Sequence, residues 1–169
     1  TMDLFLIVQL IIFIGLLVLS GFFSGSETAL FSLNQTQLEQ MELEKNAQTG
    51  LIRRLLNAPR RLIVTILIGN ELVNVSASVM SASMIIKIMG GEDKWWVNIF
   101  IMLPILLLFG EITPKTIAVK HNIAFASKVS PLLEVFAKSI TPIRIVIRYV
   151  ADKLTTFLIG KERSKGNLV

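Results

Sequence analysis

The chain has 169 residues, 53% of them hydrophobic and 17% charged, with a formal net charge of +5 and a mean hydropathy of +0.67. Such an apolar excess belongs to a protein solvated by lipid and not to a water-soluble domain of this length. With no cysteine and one histidine, His121, it has no disulfide framework, thiolate metal site or imidazole cluster, and its basic residues are not interleaved with aromatics as a nucleic-acid surface requires.

Leu4 to Leu19 is almost unbroken Leu, Ile, Val and Phe, interrupted only by Gln9 and Gly15, and apolar character resumes at Phe22, Phe23 and Ala29 to Phe31. A first span is therefore predicted over 4–31. Asp3, in place of a basic start, and the lack of a clean small-residue cleavage site argue against a secretory signal peptide. Within this span Ser20, Ser24 and Glu27 share one helical face. Gly and Ser alone would serve close helix packing, but Glu27 points beyond packing.

From Asn34 to Asn57 the chain is polar, with Leu38, Met41, Leu51 and Leu55 at helical spacings and a break around Gln48 to Gly50, which predicts a surface hairpin over 34–57. Arg53, Arg54, Arg60 and Arg61 precede the next apolar run, so this loop is expected to be cytoplasmic. The second span, over 62–89, carries Asn70, Asn74 and Ser78 along one face. One asparagine would be helix glue, whereas this stripe argues for a polar cavity. Gly90 to Lys94 reads as an external turn, and Trp95 and Trp96 as an interfacial belt.

A third span is predicted over 95–117, leaving the N-terminus outside and the C-terminus in the cytoplasm. Beyond it, Pro131 and Pro142 interrupt apolar material too short and too charged to span with ease. A juxtamembrane belt is expected over 128–158: a partly inserted helix from Ser130 to Ile140, then a basic amphipathic helix from Ile143 to Leu158. A fourth full span is the alternative. The missing initiator Met and the polar ending Lys161 to Asn167 suggest a piece of a longer protein, with the membrane domain at 1–160 and a tail at 161–169. The fold class expected is all-α and integral to the membrane, with three transmembrane helices that contain broken or kinked segments, plus cytoplasmic juxtamembrane amphipathic helices.

The third span ends in Phe109, Gly110, Glu111, Ile112, Thr113, Pro114 and Lys115. A carboxylate at that depth needs a partner, water or a metal, so Glu111 is a site candidate. Pro114 has no amide hydrogen to give the Gly110 carbonyl, and Gly110 lets another backbone or an ion approach closely. Hard cations such as Mg²⁺, Na⁺ and Ca²⁺ take oxygen ligands of this kind. Lys115 offers the rival reading: at i, i+4 it can hold Glu111 in a structural ion pair, or it can snorkel to the interface.

Depth arithmetic brings the patches together. At roughly 1.5 Å per residue, Ser20 lies roughly 24 Å below the outer edge, Glu111 equally deep, and Asn70 roughly 12 Å above the inner edge. Hydroxyls of Ser20 and Ser24, amide oxygens of Asn70 and Asn74, the Gly110 carbonyl and the Glu111 carboxylate can then surround one cation. A single carboxylate among neutral oxygens suits weak, releasable binding.

Three stretches, Ser20 to Leu30 as SGFFSGSETAL, Gly69 to Asn74 as GNELVN and Gly110 to Lys115 as GEITPK, resemble the transmembrane domain of the CNNM/CorC family of magnesium transporters. The resemblance covers essentially the whole chain. It implies a homodimer of three-span domains with a juxtamembrane helical belt, handling Mg²⁺ with Na⁺ as the coupling ion, followed in the full protein by cytoplasmic CBS-pair domains that bind nucleotide. The family's ion site falls on Ser20, Ser24, Asn70, Gly110 and Glu111, the set reached by depth. Glu27 and Asn74 are candidates for the Na⁺ site, with Lys115 in their surroundings.

The function expected is Na⁺-coupled Mg²⁺ export across the plasma membrane. A membrane anchor or scaffold that senses Mg²⁺ without moving it is the alternative. An intramembrane enzyme is not expected, since the sequence has no intramembrane Asp pair, Ser–His pair or zinc motif.

Overall fold

The computed structural model describes residues 4–90 and 95–159, and all its regular elements are helical. The turn expected after Gly90 and the tail from 161 lie outside the described residues. Three helices are long and apolar enough to cross a membrane. The first, α1, is Leu4–Phe31. Two short helices follow, α2 at Gln35–Leu43 and α3 at Thr49–Leu56, and then the second span, α4, at Pro59–Met89. The third spanning unit is composite: α5 (Trp95–Ile105), a π-helical stretch (Leu106–Ile112) and α6 (Thr113–Lys120). Two further helices, α7 (Asn122–Ser139) and α8 (Thr141–Ile159), complete the described chain.

Local chemistry sets most of the boundaries. Asn34 caps α2 through a reciprocal capping box with Gln37, its side chain accepting from the Gln37 amide at 2.8 Å. Pro59 opens α4, where its missing N–H would have been an orphan in any case. Gly90 closes α4 in the left-handed conformation, φ 68°, with its N–H on the Ile86 carbonyl.

The long helices α1 and α4 are antiparallel and hold one register along their length. The Lys87 ammonium stands 3.5 Å over the Phe5 ring, Gln9 donates to Ser83, Ser20 donates to Asn74, and the Phe23 ring covers Gly69 so closely that a Cβ there would overlap it. The third unit packs along the opposite flank of α1: Gly21 meets the Pro114 ring, and Ser20 meets Gly110. Around the far end of α1, the α2–α3 hairpin, the start of α4 and α7 close a hydrophobic core that includes Leu30, Met41, Ile52, Leu62 and Leu133.

Sequence and structure differ in the belt. Instead of a helix from Ser130, α7 begins at Asn122 and runs through Pro131 without interruption. Its buried face, Ala126, Val129, Ser130, Leu133 and Ala137, has the spacing of a helix laid on a core, and that packing outweighs one lost amide. The second span starts at Pro59, earlier than expected, and the third runs on to Lys120. In α8, Ile143, Val146, Ile147, Val150, Leu154 and Phe157 are all exposed, as an amphipathic helix lying on an interface would leave them.

Candidate ion site

Ser20 and Ser24 occupy successive turns of α1, both at most 2% exposed. The Ser20 hydroxyl donates to Asn74 Oδ1 at 2.8 Å, which keeps the lone pairs of its own oxygen available. The same Oγ lies 2.7 Å from where a Cβ on Gly110 would stand. Ser20 is thus wedged between α4 and the π-helical stretch, and only glycine fits opposite it.

One turn further along the α1–α4 register, Ser24 comes level with Asn70. Ser24 Oγ and Asn70 Oδ1 are both buried without a hydrogen-bond partner. An unmatched buried polar atom costs about 1–3 kcal/mol, so two of them on facing turns call for a ligand. Among the described residues no group of three or more His, Cys, Asp or Glu converges. The oxygens gathered here are therefore neutral, with the Glu111 carboxylate next to Gly110 in the chain, and oxygen donors of this kind suit a hard cation.

The π-helical stretch supplies more oxygen. The Thr113 N–H reaches five residues back to the Leu108 carbonyl, while α6 resumes four-residue bonding from its cap at Ile112. Between these frames lie the carbonyls of Phe109, Gly110 and Glu111, and the only intervening residues are Pro114, which has no N–H, and Lys115. Two of the three carbonyls must go without a helical amide. The carbonyl that the sequence assigns to Gly110 alone thus becomes a group of neighbouring acceptors.

The frame change also decides the fate of Lys115. Instead of the rival i, i+4 pair with Glu111, Lys115 places its Nζ 3.6 Å from Glu27 Oε2. The α-helical alignment of positions 111 and 115 fails because Glu111 lies in the wider π turn. Glu111 is part-buried and, among the described residues, makes no ion pair. Glu27 stands roughly 10 Å along α1 from Ser20, in an open recess with Thr28, Phe31, Ser32, Ile63 and Lys115. The structure therefore brings together Ser20, Asn74 and Gly110, sets Ser24 and Asn70 beside them, and leaves Glu27 with Lys115 apart.

A second polar layer has no counterpart in the sequence reading. Gln9 donates to Ser83 at 3.1 Å, Ser81 donates to Asn98 at 2.6 Å, and Gln9 Oε1 is buried without a partner. All three spanning units contribute to it, roughly 16 Å along α1 from Ser20. Gln9 was visible only as an interruption of an apolar run, and pairing it with Ser83 required the helix register.

The fold defines a three-span helical membrane domain that packs hydroxyl and amide groups among the apolar side chains of its interior. Residues 11–168 match the model of the cyclin M transmembrane N-terminal domain, and the chain belongs to that family, CNNM/CorC. It is 38% identical over 130 residues to a UPF0053 protein of Haemophilus influenzae, covering 75% of this chain and 31% of the relative. To the UPF0053 inner membrane protein YfjD of Escherichia coli it is 37% identical over 100 residues, covering 59% and 23%. A chloroplastic DUF21 domain-containing protein of Arabidopsis thaliana is 31% identical over 150 residues, covering 89% and 23%. The chain thus spans between 23% and 31% of these relatives' length. It is a multi-pass membrane domain of a transporter-type family.

Proposed function

We propose that this domain exports Mg²⁺ across the plasma membrane, coupled to Na⁺, as a homodimer with its C-terminus in the cytoplasm beside CBS-pair domains of the full chain. The observation that carries the reading is the pair of unpartnered buried oxygens, Ser24 Oγ and Asn70 Oδ1, next to the Ser20–Asn74 hydrogen bond and the carbonyls freed at the π-helical stretch. Ser20, Ser24, Asn70, the Gly110 segment and Glu111 hold the ion as its substrate site. Mg²⁺ gives up its water reluctantly, so these groups replace part of an octahedral shell and leave waters on the rest.

The single negative charge keeps binding weak enough to release. Moving a divalent ion against the membrane potential costs roughly 4.6 kcal/mol per 100 mV, which a coupled Na⁺ gradient offsets. Asn74 is available to a coupling ion once Ser20 turns away from it. Glu27, already paired with Lys115, would serve Na⁺ only if that pair opened. The layer of Gln9, Ser83, Ser81 and Asn98 continues the hydrophilic route toward the other end of the spans.

Calorimetric titration of the purified protein with Mg²⁺, with and without Na⁺, tests this. Ser24→Ala and Glu111→Ala are expected to abolish or strongly weaken binding, and Na⁺ to shift it. Flux in liposomes then separates transport from sensing: binding with no flux would favour the sensor or scaffold instead, and normal binding by both variants would refute the site.

A further inference from the structure

Apart from the ion site, the charge boundary at the start of α4 forms a shaped cleft. Arg60 and Arg61 from α4 and Arg144 and Arg148, one turn apart on α8, line a single cleft of about 400 Å³. Between them the cationic side chains contribute four positive charges, and among the described residues one carboxylate pairs with them, Asp152, which lies 3.4 Å from Arg60 Nη2 and 3.7 Å from Arg148 Nε. Arg61 and Arg144 make no ion pair among the described residues. Arg144 has only the hydroxyls of Thr65 and Thr141, each at 3.5 Å. Glu134, in the adjoining crevice with Arg61, is taken up by Lys138 at 3.6 Å.

Guanidinium groups held side by side without compensation repel one another, and burial first, then the charge of Arg61, lowers the pKa of Arg144. The N-terminus of α4, without a side-chain cap, adds further positive potential at the same place. An anion presenting several oxygens relieves all three effects, and paired guanidinium forks match a phosphate. The other walls are apolar, including Val64, Ile147 and Ala151, and Leu67, one turn beyond Val64 on the same spanning helix, is exposed. The cleft therefore opens where a bilayer's headgroups meet its acyl chains.

We propose that the cleft between α4 and α8 binds an anionic phospholipid, its phosphate among Arg60, Arg61, Arg144 and Arg148 and an acyl chain along Val64 and Ile147. Such a lipid fastens α8, which has few other contacts with the bundle, to the base of the second span. The site makes the juxtamembrane helix sensitive to the charge of the leaflet around it.

The test is native mass spectrometry of the detergent-purified protein titrated with phosphatidylglycerol or phosphatidylcholine of equal chain length. Preferential retention of phosphatidylglycerol is expected, weakened about 30-fold in Arg61→Gln/Arg144→Gln, at roughly fivefold per arginine, and unchanged in Lys128→Gln. Ala151→Trp, which fills the cleft and keeps every charge, is expected to displace the lipid equally, so a folding defect in the arginine variant does not decide the matter. Equal retention of both lipids, or undiminished phosphatidylglycerol binding in Ala151→Trp, would overturn the proposal. Inorganic phosphate that displaces the lipid at equal concentration would likewise assign the cleft to a free phosphate and refute the lipid.

Discussion

The spanning bundle buries hydroxyl and amide side chains among its apolar ones, whereas the collar formed by α2, α3 and α7 around the end of α1 closes mainly on aliphatic side chains. Inside the spans the buried side chains include Gln9, Ser20, Ser24, Thr65 and Ser81, while Leu4, Ile11, Val18, Val75 and Phe100 face outward. In the collar, Met41, Ile52 and Leu133 are fully buried, and Arg53 and Glu42 pair on the surface at 2.8 Å. The difference follows from the solvent. Lipid offers apolar side chains nothing to escape, so the spans associate through small residues and hydrogen bonds. The collar instead closes on a contiguous apolar core, the packing that the hydrophobic effect drives. Buried polar groups are compatible with the first kind of packing.

Substitutions should separate the two regimes, beginning with the largest effect. Leu133→Ala empties a fully buried position in the collar and is expected to destabilise by about 2–5 kcal/mol, seen as a lower unfolding temperature in detergent, with Mg²⁺ affinity little changed in the fraction that stays folded. A comparable loss of Mg²⁺ affinity would show that the collar is part of the site.

Gly110→Ala sets a methyl group against Ser20 Oγ. Its cost is expected at about 1–3 kcal/mol, with Mg²⁺ binding lost as Ser20 is forced off Asn74. If calorimetry finds normal affinity, Gly110 is there for packing alone. Ser20→Ala removes one hydrogen bond and should cost about 1 kcal/mol by thermal unfolding, less than either change above, again with weakened Mg²⁺ binding.

The smallest effect is expected at Lys115→Met. Its ion pair with Glu27 is roughly half exposed on both sides, so stability should change by no more than about 1 kcal/mol and Mg²⁺ affinity should be retained. Loss of binding in this variant would return Lys115 to the ion site and contradict the separation of the two groups.

Much of this architecture follows from order and spacing along the chain. The apolar runs place three spans, and the polar interruptions at Ser20, Asn70 and Glu111 mark side chains that cannot rest in lipid alone, because hydrophobic length and polarity are both local properties. Contacts and frames are different. Nothing local says that Pro131 stays within a helix, and it does so because the buried face of α7 rests on the collar core. Nor does spacing reveal the π turn, which moves Glu111 out of line with Lys115 and frees more than one carbonyl. The pairings of Ser20 with Asn74, Gln9 with Ser83 and Lys115 with Glu27 depend on how whole helices lie against one another. The sequence by itself determined which residues cannot rest in lipid alone, since that is set by each side chain's own chemistry. Only the tertiary structure decided which of them satisfy each other and which are buried without a partner, because that depends on register across elements far apart in the chain.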